Sequence, residues 1–202
     1  MKHIITVQHT QSVHHINGMV GSWTDWELTE LGKKQADNIG RKLHDELAGK
    51  DVVIYSSDLK RAKQTADAIA RHLGAEIILR TELRERNLGK CCGKSVQWLR
   101  ENIECHEKTV DDRLFSDGES RRDQWERLLP FFEKIIASED ENIIIVSHGD
   151  LLSTWNAMFI GLHAGSYYRV DIHGPAGGVS HMMVDDDGKH LIRHINDMSY
   201  IL

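Results

Sequence analysis

Several classes of protein are excluded by what this sequence has little of. Its 202 residues include two prolines and three cysteines. No segment approaches the roughly 18 uninterrupted apolar residues of a membrane-spanning helix, and the N-terminus lacks the apolar segment of a signal peptide. An odd number of cysteines without a disulfide framework is typical of a reducing compartment. We therefore expect a cytoplasmic protein that does not associate with membranes.

Acidic residues also outnumber basic ones, 31 to 25, so the formal net charge is −6. The electrostatic attraction that drives most nucleic-acid binding is thus absent for the chain as a whole, and we expect no nucleic-acid partner. The sequence has no glycine-rich dinucleotide fingerprint and no His-Glu-x-x-His zinc helix. The 13 histidines leave a metal hydrolase open as an alternative, but no ligand spacing supports it, and we predict no metal site.

Apolar runs and helical patterns alternate along the chain. Runs at 4–7, 52–55, 77–79 and 143–146 are rich in β-branched residues and predict strands buried on both faces. Runs at 179–184 and 191–195 flank an Asp-Asp-Gly turn and predict an antiparallel hairpin.

Helical patterns occupy the segments between these runs. One follows Thr29 with Leu31, Gln35, Ile39, Leu43 and Leu47 at four-residue spacing, and the others lie at about 59–73, 120–137 and 151–160. Thr29 is placed to cap the first helix, and Gly74 to end the second. The alternation predicts one domain over residues 1–202. Its fold class is α/β, a three-layer α/β/α sandwich with a mostly parallel sheet and an antiparallel C-terminal hairpin.

Polar residues follow the predicted parallel strands at the edge where such sheets bind ligands. His9 follows the first strand and His148 the fourth, whereas Arg61 lies at the start of a helix and Glu85 follows the third strand. One histidine can attack phosphorus, the cations can hold developing charge, and a carboxylic acid can protonate the leaving oxygen. This phosphoryl-transfer chemistry requires no metal, and we expect no cofactor.

The chain also resembles the histidine phosphatase superfamily, which includes the cofactor-dependent phosphoglycerate mutases. The resemblance spans nearly the whole chain and rests on motifs in family order: Val7-Gln8-His9-Thr10, Leu28-Thr29-Glu30-Leu31-Gly32, the segment 55–66, Leu83-Arg84-Glu85, Asp117-Gly118-Glu119-Ser120 and Val146-Ser147-His148-Gly149. It implies that His9 is the phosphorylated nucleophile, Glu85 the general acid, and Arg61 and His148 phosphate ligands.

The resemblance further implies that Gln8, His15 and Gly149 contact the phosphate of a small phosphorylated substrate. Gln8-His9-Thr10 departs from the family's arginine-histidine-glycine motif, however. Glutamine can donate a hydrogen bond but lacks the charged, two-pronged guanidinium. By analogy with the loss of one oxyanion-hole donor, the change removes on the order of 3 kcal/mol, or about a hundredfold in rate.

One hypothesis is that the adjacent residues His14 and His15 supply the positive charge that Gln8 lacks. Protonated His14 or His15 would replace it and make activity stronger at acidic pH. The alternative interpretation is a solvated pair of loop residues.

We predict from these features a phosphatase that hydrolyses a phosphomonoester of a small metabolite through a phosphohistidine on His9. Met19 lies where the mutases carry an arginine, which favours hydrolysis over mutase chemistry. A mutase-type phosphotransferase and a catalytically weak or inactive phosphate-binding protein or sensor stay open. The sequence predicts neither the substrate nor the oligomeric state.

Overall fold

A six-stranded sheet forms the centre of the computed structural model, which describes all 202 residues. Its strands are β1 (Lys2–Gln8), β2 (Val53–Ser56), β3 (Ile77–Leu79), β4 (Asn142–Ser147), β5 (Val179–Val184) and β6 (His190–Asp197). Their order in the sheet is β3-β2-β4-β1-β5-β6. The first four in this order run parallel, whereas β5 and β6 are antiparallel to their neighbours. The predicted mostly parallel sheet with an antiparallel hairpin is confirmed.

Helices cover both faces of the sheet. They are α1 (His14–Asn17), α2 (Glu30–Leu47), α3 (Lys60–Leu73), α4 (Val96–Asn102), α5 (Arg121–Ala137) and α6 (Gly149–Phe159). Helices α2 and α3 pack on one face, and α5 and α6 pack on the other. None of the helices combines the length and hydrophobicity that a membrane span requires.

The alternation of side chains along the central strands builds the two apolar cores. On β4, Ile143 and Ile145 face α5 and α6, whereas Ile144 and Val146 face α2 and α3. All four are at most 1% exposed. Each such side chain contributes roughly 1.5–3 kcal/mol when it is fully buried. A strand covered on both faces needs apolar residues at every position, which explains the uninterrupted run in the sequence.

The helix boundaries follow the predicted signals closely. The Thr29 hydroxyl accepts a hydrogen bond from the Gly32 N–H at 3.0 Å and caps α2, and Gly74 ends α3 with a φ of 63°. Ser120 and Asp123 form a reciprocal capping box at the start of α5. Local hydrogen bonding therefore fixes these ends as the sequence indicates.

The predicted buried face of α2 was wrong at its first residue. Leu31 is 51% exposed, and the buried residues of this helix are Gly32, Ala36, Ile39, Gly40, Leu43 and Leu47. Strict four-residue spacing drifts by about 40° per step on a helix of 3.6 residues per turn. Leu31 and Leu47 consequently lie on different sides of α2.

Two short helices were not predicted. α1 has four residues and α4 has seven, and neither contains a fully buried side chain. The Ser95 hydroxyl caps α4 by accepting from the Trp98 N–H at 3.0 Å. Segments this short show no clear hydrophobic periodicity. α1 matters for function because it carries His14 and His15.

Candidate active site

His9 follows the last residue of β1 and is 3% exposed. Its Nδ1 lies 2.9 Å from the Thr10 carbonyl oxygen. A carbonyl oxygen only accepts, so Nδ1 carries the ring proton and Nε2 keeps its lone pair. Burial lowers the pKa of His9 well below its ordinary value, and the nearby Arg61 charge lowers it further. His9 is thus a neutral imidazole with its lone pair on Nε2.

Arg61 is the second residue of α3 and lies directly beside that lone pair. Its Nε donates to His9 Nε2 at 3.1 Å. Its other two nitrogens donate to the carbonyl oxygens of Thr24 and Ser22, both at 2.7 Å. Although burial lowers the pKa of Arg61 to about 10, the guanidinium is still charged at neutral pH. Three hydrogen bonds therefore hold a permanent positive charge against His9.

His148 reaches the same place from the adjacent parallel strand. Gln8 of β1 is paired with Ser147 of β4, so the residues that follow them, His9 and His148, emerge side by side with ring centroids 5.1 Å apart. His148 Nε2 lies 2.8 Å from the Ser57 hydroxyl, whereas its buried Nδ1 has no partner. Burial, followed by the Arg61 charge, lowers the pKa of His148 well below its ordinary value. A second neutral imidazole thus borders His9.

Gln8 and Gly149 form one wall of the site. Gln8 is 6% exposed, and with His15 and His173 it lines a cleft of about 400 Å³. Gly149 begins α6 directly after His148. A Cβ at position 149 would lie 2.6 Å from the His173 ring and 3.3 Å from Gln8 Nε2. Only glycine lets these two side chains come so close to the start of α6.

Glu85 lies beside the N-terminus of α6. Its Oε1 accepts from the Arg86 and Leu151 N–H groups at 3.0 and 3.1 Å, and its Oε2 has one longer contact, 3.3 Å, with the Asp150 N–H. Removal from water raises the pKa of Glu85, and the Asp150 carboxylate raises it further. Oε2, with the fewer donors, is the oxygen better able to carry a proton.

The rings of His14 and His15 both lie near His9, although His15 is exposed to solvent and His14 is half-buried. The His15 ring lies parallel to the His9 ring, with centroids 5.5 Å apart, and the His14 ring lies at 5.7 Å. Burial lowers the pKa of His14 to about 3, and it also lowers the pKa of His15. A lowered pKa disfavours the protonated form of both rings, and the hypothesis that one of them replaces the missing charge stays a prediction.

His15 can still act as a neutral donor. Its Nδ1 accepts from the Ser12 backbone N–H at 3.1 Å. A neutral ring that accepts at Nδ1 carries its proton on Nε2. His15 therefore offers an N–H group to an anion without carrying a charge.

Thr10 makes a contact that the glycine of the family motif would lack. Its hydroxyl donates to the Gly32 carbonyl oxygen at 2.8 Å, and its backbone N–H donates to the Thr65 hydroxyl at 3.2 Å. The residue is fully buried. Thr10 thus ties the segment after β1 to α2 and α3, which supports the position of His9.

Sequence reasoning missed three side chains that support the site. The Trp23 indole donates to the Glu85 carbonyl oxygen at 2.6 Å, Ser57 orients His148, and Asp150 lies beside Glu85. Trp23 and Glu85 are 62 residues apart, so no local pattern connects them. Ser57 gave the clearest signal, because it lies two residues after the strand predicted at 52–55.

Three histidines are close enough to be considered as metal ligands. One nitrogen from each of His9, His14 and His15 lies within 4.8 Å of the others. The Arg61 N–H already occupies the His9 Nε2 lone pair, however, and the Ser12 N–H occupies the His15 Nδ1 lone pair. The fixed guanidinium would also repel a cation. These contacts suit an anion better than a metal ion.

The charges of the site are arranged for an anion. Arg61 is positive, and the four neighbouring imidazoles are neutral because their pKa values are lowered. The positive ends of α3 and α6 also point to this region. A phosphate group is the ligand that this combination favours.

Comparison with known proteins decides the family. The sequence matches the profile of the histidine phosphatase superfamily (branch 1) over residues 4–197. The chain belongs to this superfamily. One curated relative is the glucosyl-3-phosphoglycerate phosphatase of Mycolicibacterium vanbaalenii. It is 26% identical to this histidine phosphatase over 207 residues, and the alignment covers 93% of this chain and 88% of the relative.

Mutases are also among the relatives of this superfamily member. The 2,3-bisphosphoglycerate-dependent phosphoglycerate mutase of Bartonella tribocorum is 29% identical over 171 residues, covering 79% of this chain and 82% of the mutase. A solved structure, Bacillus stearothermophilus YhfR, superposes with a TM-score of 0.86 at 24% identity and covers both chains completely. The last comparison confirms the fold of the histidine phosphatases for this chain.

Proposed function

We propose that this protein is a phosphatase that hydrolyses a phosphomonoester of a small metabolite through a phosphohistidine on His9. The observation that carries the proposal is the state of His9. Its ring proton is held on Nδ1 by the Thr10 carbonyl, and its Nε2 lone pair lies 3.1 Å from the Arg61 guanidinium. A phosphate held by Arg61 would lie next to that lone pair.

In the first step, His9 Nε2 attacks phosphorus and the bond to the ester oxygen breaks. The leaving alkoxide takes a proton from Glu85, whose raised pKa favours the protonated form that a general acid needs. In the second step, the Glu85 carboxylate takes a proton from water, which attacks the phosphohistidine. His9 and inorganic phosphate are released, so atoms and protons balance over the two steps.

The remaining site residues would hold the phosphate oxygens. Arg61 supplies the charge, and Gln8, His15, His148 and the N-terminus of α6 at Gly149 supply neutral hydrogen bonds. Neutral donors bind a phosphate dianion less strongly than charged ones. We therefore propose a site with the chemistry of its family and a reduced transition-state stabilisation.

Hydrolysis is favoured over phosphoryl transfer to a second substrate. The phosphatase from Mycolicibacterium vanbaalenii aligns with more of this chain than the mutase from Bartonella tribocorum does. Met19, in place of the mutase arginine, offers no charge for a second phosphate group. A mutase must hold a second phosphate group when the bisphosphorylated species that links its substrate and product is bound.

The location we propose is the cytoplasm. Cys91, Cys92 and Cys105 are all free thiols. Free thiols, one of them exposed, are typical of a reducing compartment.

Turnover is the decisive test. We would assay p-nitrophenyl phosphate and a panel of phosphorylated metabolites between about pH 5 and pH 8, and trap the phosphoenzyme by rapid quenching in base. His9→Ala should abolish both turnover and the trapped phosphohistidine. His44→Ala removes an exposed histidine of α2 and should change neither.

One observation favours a second function, a phosphate-binding protein or sensor. Arg61 is the one cation that contacts His9, and the imidazoles around His9 are neutral. Binding of phosphate without hydrolysis above the level of His9→Ala would support the sensor and refute the phosphatase.

A further inference from the structure

His173 lies against the start of α6, on the segment that joins α6 to β5. A Cβ at position 149 would lie 2.6 Å from His173 Cε1 and 3.3 Å from His173 Nδ1. The ring therefore packs on the backbone of Gly149, directly beside His148. The sequence gives no sign of this contact, because the whole of α6 separates the two residues along the chain.

Gln8 reaches the same point from β1. Its Nε2 lies 3.3 Å from the position of that Cβ, as His173 Nδ1 does, so the two nitrogens are no more than twice this distance apart. Donors to different oxygens of one phosphate can lie up to about 8 Å apart, since each hydrogen bond spans about 2.8 Å. One phosphate group at the start of α6 can thus accept from both side chains.

The His173 ring is available to a ligand. His173 is exposed to solvent, its ring makes no hydrogen bond within the protein, and it lines the cleft of about 400 Å³ together with Gln8 and His15. The backbone beside it is held in place, because the Ile172 N–H donates to the Ser153 hydroxyl at 2.9 Å. An anchored segment therefore presents a free imidazole to the site.

The cleft around His173 contains no charged side chain. His15 is its one other titratable residue, and its remaining hydrogen-bonding side chains are the amides of Gln8, Gln11 and Gln35. A positive charge on the ring would meet neither a carboxylate nor a like charge within the cleft.

Two carboxylates lie close to these residues in sequence, and both face arginines. Asp150, the second residue of α6, lies 3.1 Å from Arg86 Nε, and Asp171 lies 3.7 Å from the Arg121 guanidinium. Neither carboxylate is left without a cation of its own. A bound phosphate is the anion that remains for His173.

We propose that His173 is a further phosphate-binding residue of the active site and that it binds as an imidazolium, supplying the second positive charge that Gln8 lacks. This inference rests on the proposed function. A protonated ring carries N–H groups on both nitrogens, so its ability to donate does not depend on the tautomer. Histidine gains its proton near physiological pH, and an adjacent dianion stabilises the charged form. The resulting hydrogen bond is about twice as strong as one from a neutral donor.

Sulfate is a suitable probe, because it stays a dianion where phosphate itself titrates. Calorimetric titration of the full chain should show roughly tenfold tighter binding at about pH 5.5 than at about pH 8. His173→Gln keeps a neutral donor and should lose this gain. His163→Gln is the matched control, because His163 is exposed but follows the opposite end of α6, about 15 Å along the helix axis. It should keep the gain.

Imidazole NMR signals show where the sulfate binds. The signals of His148 and His173 should shift together and saturate at the same sulfate concentration. The proposal is overturned if His148 responds and His173 does not, or if the gain at acidic pH persists in His173→Gln. Loss of the gain in His15→Gln alone would assign the charge to α1 instead.

Turnover of p-nitrophenyl phosphate reports the proposed function separately. A protein that hydrolyses this ester but binds sulfate equally with and without His173 keeps the function and refutes the inference. A protein that hydrolyses nothing but shows the His173-dependent gain keeps the inference as a property of a phosphate-binding site.

Discussion

Replacing Gln8 by arginine is the perturbation that bears most directly on how this site works. Gln8 is 6% exposed and lines the cleft of about 400 Å³ next to the start of α6. The cleft gives the longer side chain room to extend toward a bound phosphate. Gln8→Arg would add a second permanent charge to a site in which Arg61 now acts alone.

The expected gain follows from the kind of hydrogen bond that changes. A neutral hydrogen bond contributes about 0.5–1.5 kcal/mol, and one to a charged group about 1.5–3 kcal/mol. The midpoints of the two ranges differ by about 1.25 kcal/mol, which corresponds to a rise of roughly eightfold in kcat/KM. The rise is smaller than that expected for gaining a donor outright, because in the proposed complex the Gln8 amide already donates one bond to the phosphate.

The same change should destabilise the free protein. A guanidinium at a 6% exposed position, near Arg61 and without a carboxylate partner, loses hydration and meets a like charge. Phosphate removes both penalties when it binds. Added phosphate should therefore raise the Tm of Gln8→Arg more than it raises the Tm of the unaltered protein.

Steady-state kinetics with p-nitrophenyl phosphate and thermal unfolding with and without phosphate measure the two effects. Gln8→Lys, which adds charge without the planar fork, should gain less, and Gln8→Met, which removes the donor, should lose activity. The reasoning is refuted if Gln8→Arg is folded but shows neither a higher kcat/KM nor a larger phosphate-induced increase in Tm.

Three further predictions concern the acid, the buried histidines and the core. Glu85→Gln should reduce kcat for alkyl phosphates roughly a hundred- to ten-thousandfold but affect p-nitrophenyl phosphate far less, because its leaving group needs little protonation; equal losses on both substrates would argue against an acid role. The free energy of unfolding should fall as pH drops below about 6.5, by up to about 1.4 kcal/mol per pH unit for each of His9 and His148. Their pKa values are lowered by folding, so the unfolded chain binds more protons, and urea unfolding of His148→Gln should show a shallower pH dependence. Leu43→Ala removes a fully buried side chain of α2 and should lower the free energy of unfolding by about 2–5 kcal/mol in urea titrations, with kcat unchanged at temperatures where it is folded.

Much of the fold could be predicted because its signals are local. The apolar run of β4 reflects burial on both faces, and the ends of α2 and α3 depend on the Thr29 hydroxyl and on the left-handed conformation of Gly74. The exposure of Leu31 could not be predicted in the same way. It depends on how α2 is rotated against the sheet, which the strict four-residue spacing misjudged.

The positions of His9 and His148 show which part of the site could be predicted from the sequence. Both follow apolar strands, so their position at one edge of a parallel sheet was predictable. Their direct adjacency was not, because it requires β1 and β4 to be neighbours, and the strand order does not follow the order in sequence. The protonation state of the site could not be predicted from the sequence either. The lowered pKa values of His14 and His15 arise from burial and from Arg61, which belongs to another segment.

The sequence by itself determined the fold class, the strand ends that carry the site and the unusual Gln8-His9-Thr10, because each of these depends on residue type and short-range spacing. Only the tertiary structure decided that His9 is neutral with its Nε2 lone pair facing Arg61, that Glu85 has a raised pKa beside Asp150, and that His173 lies against the start of α6. Protonation and hydrogen bonding depend on burial and on charges from distant segments, and these come together only when the chain folds.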